Sequence, residues 1–338
     1  MAAVTCLLVV GVLGACGDDD SDSGGSEGGG SPSTEEVTLQ LGWIEKEEYA
    51  FLYAGIEQGI FEEQGIDLKI QTGDGSSVAM TTVSEGRAEF GYTGGPSFFV
   101  ARSEGLPLKM VAMFLQQSPS IILSWPETPV TDLKDLEGKK FILTPGDGFT
   151  ALWPACAERN DVDQSKVEGQ SIGTEARAQA FVAHRSDAMP WFVTTSVAEL
   201  EEQAGAEFET LSAVDFDCSI LQNGLFTTDE LIDSDPDLVE RMVAASTKSW
   251  DWTEKNPGKA AEVILERLPD YELEDVTQVV EATNELAHTE ASAGKPTGWM
   301  AESDWEDSLE LMELSDQLSE PLEIGDLYTN EFIPGAGQ

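Results

Sequence analysis

The chain has 338 residues, 41% of them hydrophobic and 24% charged, a balance that excludes a wholly disordered protein and leaves room for two domains with cores of their own. Its 64 acidic side chains against 18 basic ones give a formal net charge of −46, and such a field repels phosphate backbones and anionic lipid, which argues against nucleic-acid binding. The acidity reads first as a solubilising surface and second as a preference for neutral or cationic ligands.

Taken in order, Val4 to Gly14 is an apolar run of signal-peptide length, too short for a permanent membrane span, and it ends in Leu13-Gly14-Ala15-Cys16. That ending resembles a bacterial lipobox, which implies cleavage before Cys16, acylation of its thiol and residues 1–16 as the leader. No Lys or Arg precedes the run. Residues 17–36 are Asp, Ser, Gly, Glu and Pro with almost nothing apolar, and read as a flexible tether.

The body opens with a predicted strand from Val37 to Trp43, followed by a helix from Tyr49 to Gly59. Then come a strand from Ile66 to Thr72, the turn Gly73-Asp74-Gly75-Ser76-Ser77, a helix to about Gly86, and a strand from Phe90 to Thr93. The turn Gly94-Gly95-Pro96-Ser97, a helix to about Glu104 and a strand from Leu108 to Phe114 complete this section. Strands alternating with helices predict βαβ units and a mostly parallel sheet, whose ligands lie beyond the carboxyl ends of the strands, where both glycine turns fall. A second α/β section follows, with strands at 121–125, 140–144 and 167–172 and helices at about 150–159 and 175–183. Beyond Thr228 the pattern is helical, with Pro236 in a first turn and amphipathic helices at 276–287 and 305–318.

Several of these pieces carry a family resemblance: Leu41-Gly42-Trp43, the run Gly59 to Leu68, Gly73 to Ser77, Gly86-Arg87-Ala88-Glu89-Phe90-Gly91, Leu133 to Lys140, Pro145 to Leu152, Ser186-Asp187-Ala188 and Tyr328 to Phe332. In this order the chain resembles the solute-binding proteins of ABC importers for nitrate, sulfonates, taurine and thiamine-precursor pyrimidines. The resemblance implies an α/β, two-lobed periplasmic-binding-protein fold (type II-like), mostly parallel sheets with helices on both faces, and a ligand cleft between the lobes. It places residues 37–119 and 220–338 in one lobe and 120–219 in the other, with crossovers near Gln116 to Trp125 and Ser219 to Thr228. It also implies hinge closure on a small molecule, delivery to a membrane permease driven by a separate ATPase, and an exported, lipid-anchored monomer on the outer face of the membrane.

Binding needs only a cleft with a few placed polar groups and an apolar wall. Trp43, Tyr92 and Trp191 are the aromatic candidates, to be weighed against ordinary core packing. The polar candidates near helix starts are Ser76, Ser77, Thr93, Ser97, Asp147 and Thr150, beside Phe149, with plain N-capping as the alternative reading. Glu47, Gln116 and Asp187 are weaker candidates, and a structural role in its turn suits Asp187 better. The turns hold no Lys or Arg, although Lys46 and Arg177 are near. The expected ligand is therefore a pyrimidine-like thiamine precursor or similar neutral heterocycle, with nitrate, taurine or an aliphatic sulfonate as the alternative.

Catalysis finds little support. His184 and His288 sit in helix-end contexts, no nucleophile pairs with a base, and no CxxC or Cys/His cluster offers a metal site, so neither metal nor cofactor is expected. Fungal thiamine-pyrimidine synthases share the implied fold but rely on a histidine and a cysteine-rich segment, and the latter is missing from this sequence. A ligand-sensing partner of a membrane receptor is the remaining class. Cys156 and Cys218 fit either a disulfide or two separate buried thiols.

Overall fold

The computed structural model describes residues 34–145, 147–195 and 197–336. The expected leader, Cys16 and the tether as far as residue 33 lie outside the described residues, as does Gly146 of the second-section turn.

Among the described residues there are ten strands: β1 (Glu35–Leu41), β2 (Ile66–Gln71), β3 (Phe90–Gly94), β4 (Leu108–Met113), β5 (Ser120–Ser124), β6 (Lys140–Leu143), β7 (Glu168–Ser171), β8 (Ala188–Phe192), β9 (Glu209–Ser212) and β10 (Asn223–Thr228). They form two five-stranded sheets, ordered β2-β1-β3-β10-β4 and β7-β6-β8-β5-β9. Val37, Leu39 and Leu41 of β1 are buried on alternate positions, as period-two patterning requires, and Leu41 lies opposite Tyr92 of β3 in a parallel pair. The strand starts at Glu35, two residues inside the stretch expected to be tether, because Glu35 and Glu36 pair with Ile66 and Asp67.

Each sheet contains one strand running against its neighbours, β10 in the first and β5 in the second. These are the strands that the chain enters on arriving from the other sheet. A chain leaving β4 at its carboxyl end and entering β5 against the run of β8 meets the second sheet at its carboxyl edge too. The carboxyl ends of both sheets are thereby turned toward each other, which is how two βαβ sheets joined by short crossovers must sit. The crossovers lie earlier than expected, at 114–119 and 213–222, since Ser120–Ser124 and Asn223–Thr228 are already strand. They pair with each other: Gln222 N donates to Leu115 O at 3.0 Å and Phe114 N to Asn223 O at 3.1 Å.

Helices α1 (Ala50–Glu57), α2 (Ile60–Glu63), α3 (Ser76–Ser84) and α4 (Gly95–Ser103) belong to the first βαβ run, and α5 (Gly148–Arg159), α6 (Thr174–Val182) and α7 (Val197–Ala204) to the second. The remainder is α8 (Asp229–Ser234), α9 (Pro236–Lys255), α10 (Pro257–Leu265), α11 (Leu273–Glu285), α12 (Glu302–Leu314) and α13 (Ile324–Leu327). The long α9 begins with Asp235 capping Leu238 N and Pro236 in its first turn. It returns Trp250 to the first sheet, stacked on Phe114 at 5.4 Å between ring centres. In contrast, α12 lies between the lobes: Trp305 packs on Phe98 and Phe99 of α4, while Asp307 and Glu310 hold Arg159 of α5 at 3.6 and 2.9 Å. Cys156 of α5 is disulfide-bonded to Cys218 in the return crossover, with Cα atoms 5.5 Å apart, which resolves the two readings of these cysteines.

Candidate ligand-binding site

The two glycine turns of the first lobe meet at the carboxyl ends of β2 and β3, where Thr93 Oγ1 donates to Ser76 Oγ at 2.7 Å and ties the start of α3 to the end of β3. Close backbone packing explains the glycines. A Cβ on Gly73 would lie 2.4 Å from Leu41 O, and one on Gly95 would lie 2.2 Å from Leu221 O. Beside them Trp43 leaves the end of β1 half exposed, at 50%, and Ile44 follows it into solvent. Val78 in the first turn of α3 and Val193 just past β8 are exposed as well. Exposed apolar side chains are thus found past the carboxyl ends of strands in both lobes, where a ligand wall would draw on them.

The second lobe contributes a compact polar and aromatic cluster. Asp147 caps α5 by accepting from Phe149 N at 3.0 Å, and its other oxygen accepts from Arg177 Nη1 of α6 at 2.9 Å. The guanidinium lies over Trp191, 4.9 Å from the ring centre, and over Phe192 at 5.5 Å. Arg177 is only 7% exposed, so its charge is neutralised within the lobe by Asp147. Lys46, the other nearby cation, is committed to Glu48 at 2.6 Å. Glu48 in turn accepts from Asn223 Nδ2 at 2.5 Å, joining the loop after β1 to the start of β10.

Ser77, Ser97, Asp147 and Thr150 are brought together around a single cavity of about 490 Å³ between α3, α4 and the start of α5. Other candidates are placed elsewhere. Tyr92 is fully buried, edge-on to Tyr49 and tilted against Phe51, and burial, reinforced by Glu48 and Tyr49, pushes its phenol well above the usual range. It is a core residue. Phe149 is core as well, edge-on to Phe141 and Phe216. Gln116 is buried and donates to Met113 O and Trp299 O, which fixes the first crossover. Glu47 lines a void of about 10 Å³ with Trp250, Val280 and Thr283, on the side of α9 and α11.

Asp187 takes the structural role that its turn suggested and stays away from the cavity. It accepts from Lys140 N at 2.8 Å, at the amino ends of β6 and β8. The length of β8, about 16 Å from Asp187 to Phe192 at strand rise, separates it from the carboxyl edge. It serves the turn. Glu48 and Asn223 escape a sequence reading because their bond joins positions distant in the chain, and Arg177 shows there only as a nearby cation, not as the partner of Asp147.

Residues 46–260 match the model of the family described as NMT1/THI5 like. The chain belongs to the NMT1/THI5-like family. Among relatives of this NMT1/THI5-like protein, the riboflavin-binding protein RibY of Chloroflexus aurantiacus is 27% identical over 312 residues, covering 90% of this chain and 88% of RibY. A formylaminopyrimidine-binding protein of Halalkalibacterium halodurans is 22% identical over 302 residues, covering 88% and 90% of the two chains. Of solved structures, a putative periplasmic sulfonate-binding protein from Methylobacillus flagellatus superposes with a TM-score of 0.70 at 13% identity, over 90% of this chain and 94% of that one. That likeness, with the two sheet orders, gives the NMT1/THI5-like chain the two-lobed periplasmic-binding-protein fold.

Proposed function

We propose that this protein is the extracytoplasmic solute-binding component of an ABC importer and that it captures a flat, neutral nitrogen heterocycle, a flavin in preference to a single-ring pyrimidine. The observation that carries the reading is a cavity of about 490 Å³ lined by Ser77, Ser97, Asp147 and Thr150 and by no Lys or Arg, while Arg177 is already paired with Asp147, Lys46 with Glu48, and Trp43, outside that lining, stands half exposed past the carboxyl end of β1. A bare oxyanion such as nitrate or a sulfonate needs a cation or several converging donors, and the committed cations do not supply one. A cavity of this size lies within the range of organic-ligand sites and exceeds what a pyrimidine fills. The relatives support the same direction, one being named for riboflavin and another for formylaminopyrimidine.

The expected leader and Cys16 complete the reading: the mature chain is acylated at Cys16, held at the outer membrane face by its tether, and passes ligand to a permease after the lobes close on it. An enzymatic role gains no support from the histidines. His184 is exposed and stacks on Trp125 at 3.7 Å between ring centres, and neither it nor His288 lines the cavity.

Titration of the purified protein with riboflavin, followed by quenching of flavin and tryptophan fluorescence, is expected to saturate at micromolar concentrations or below. Calorimetry with formylaminopyrimidine should give weaker binding, and with taurine and nitrate none. Saturable heat from taurine or nitrate with silent heterocycles would overturn the assignment.

A further inference from the structure

The cavity does not stop at the helix starts. From Ser97 it continues along α4 past Val100 to Glu104 and Leu106, with Met80 and Thr81 of α3 on the facing side and Gln317 beyond α12 at its far end. Glu104 follows Ser97 by seven positions along α4 and its C-cap, a run of about 10 Å at helical rise. A ring held at the helix starts, among Ser77, Ser97 and Asp147, leaves this branch to some other part of the ligand.

The chemistry of the branch limits what that part can be. Met80, Val100 and Leu106 give it an apolar floor, and Thr81, Glu104 and Gln317 give it hydrogen-bonding edges. Thr150 Oγ1, at its mouth, is buried with no hydrogen-bond partner among the described residues. No Lys or Arg lines it, and Glu104 places a carboxylate at the end away from the ring. An alkyl chain would leave these polar edges unpaired. A phosphate or sulfonate would meet Glu104 with no cation to offset it.

We propose that the branch between α3 and α4 is a subsite for a neutral, hydroxyl-bearing chain attached to the ring of the ligand, and that it discriminates against the same chain carrying a terminal phosphate. The inference rests on the heterocycle-binding reading above and sharpens it from a ring to a ring with a polyol tail.

Three flavins test it: riboflavin, lumiflavin with a methyl group in place of the chain, and flavin mononucleotide with the chain phosphorylated. The wild type is expected to bind riboflavin at least tenfold more tightly than either of the others. Thr81 is exposed on α3, so Thr81→Trp fills the branch without disturbing the core, and an unchanged melting temperature verifies this. This variant should lose at least tenfold in riboflavin affinity and leave lumiflavin unchanged. Glu104→Gln should raise the affinity for flavin mononucleotide severalfold and leave lumiflavin unchanged. If riboflavin and lumiflavin bind equally, or if Thr81→Trp weakens both alike or neither, the subsite is wrong while the heterocycle reading stands. If no flavin binds, the heterocycle reading fails and the subsite with it.

Discussion

Trp43 and Tyr92 begin alike in the sequence, each an aromatic at the end of a predicted strand, and the structure separates them. The difference lies in register. Tyr92 pairs with Leu41 inside the sheet, under α1 and against Phe114, whereas Trp43 lies two residues past the end of β1, where no neighbour covers it. Trp43→Ala is therefore expected to leave unfolding free energy within about 0.5 kcal/mol of wild type. The same change should weaken heterocycle binding about tenfold, or ~1.4 kcal/mol. Tyr92→Phe removes a buried hydroxyl that has no partner among the described residues, so stability should stay the same or rise by up to about 1 kcal/mol, with ligand affinity unchanged. Urea melts and calorimetry measure both quantities. An affinity loss in Tyr92→Phe equal to that in Trp43→Ala would return Tyr92 to the ligand wall. This pair also marks where residue-level reading stops: strand ends are legible from alternation, but which end residue stays covered depends on α1 and α9, which arrive from elsewhere in the chain. Arg177 shows the same limit, since its stacking on Trp191 and its bond to Asp147 join α6, β8 and α5.

At the scale of elements, the order of strands and helices was legible through α6, because period-two and period-3.6 patterns alternate there and glycine turns punctuate them, whereas β8, with Pro190 in its middle, was not read as a strand. The short β9, Glu209–Ser212, carries a single buried residue, Leu211, and is therefore nearly silent as a pattern. One local element permits a quantitative test. The 3-10 turn at Leu133–Leu136 is closed by a reciprocal cap: Asp132 accepts from Lys134 N at 2.8 Å, while Asp135 accepts from Thr131 N at 3.0 Å and Asp132 N at 3.1 Å. The bond from Thr131 N leads the causes that hold the Asp135 carboxyl below its usual value, which is about 4 for an aspartate. A depressed folded pKa means stability that is fully present above the unfolded value and lost as pH falls through the folded one. Asp135→Ala should cost about 1 kcal/mol at neutral pH, the usual scale of a lost cap. In urea melts from pH 7 to pH 2.5, the gap between variant and wild type should narrow only below about pH 4. A gap that is constant across this range would mean that packing, not the charged cap, accounts for the loss.

On the scale of the whole molecule, the two sheets repeat one plan, and the sequence reaches it only through family resemblance, since nothing in local periodicity says that β10 returns to the first sheet. What joins the lobes is also nonlocal. The crossovers pair with each other, Ser308 of α12 accepts from Leu221 N at 3.1 Å, and the disulfide fixes α5 to the same return crossover. With a formal charge of −46, self-repulsion works against compactness throughout, so covalent closure carries more of the load than it would in a neutral chain. Cys156 and Cys218 are separated by 62 positions, a span that runs from the last turn of α5 through β9. In the chain-entropy picture a loop of that length is worth about 4 kcal/mol. The double variant Cys156→Ala with Cys218→Ala should therefore lose about 3 to 4 kcal/mol in urea unfolding. Reductant should lower the wild type to the same level and leave the variant where it is. Because the bond joins α5 to a crossover and not lobe to lobe across the cleft, ligand affinity should survive in the variant under conditions where it remains folded. A variant as stable as wild type would show that the reduced chain is already held by Arg159, Asp307 and Glu310, and substitution of Arg159 would then carry the larger cost.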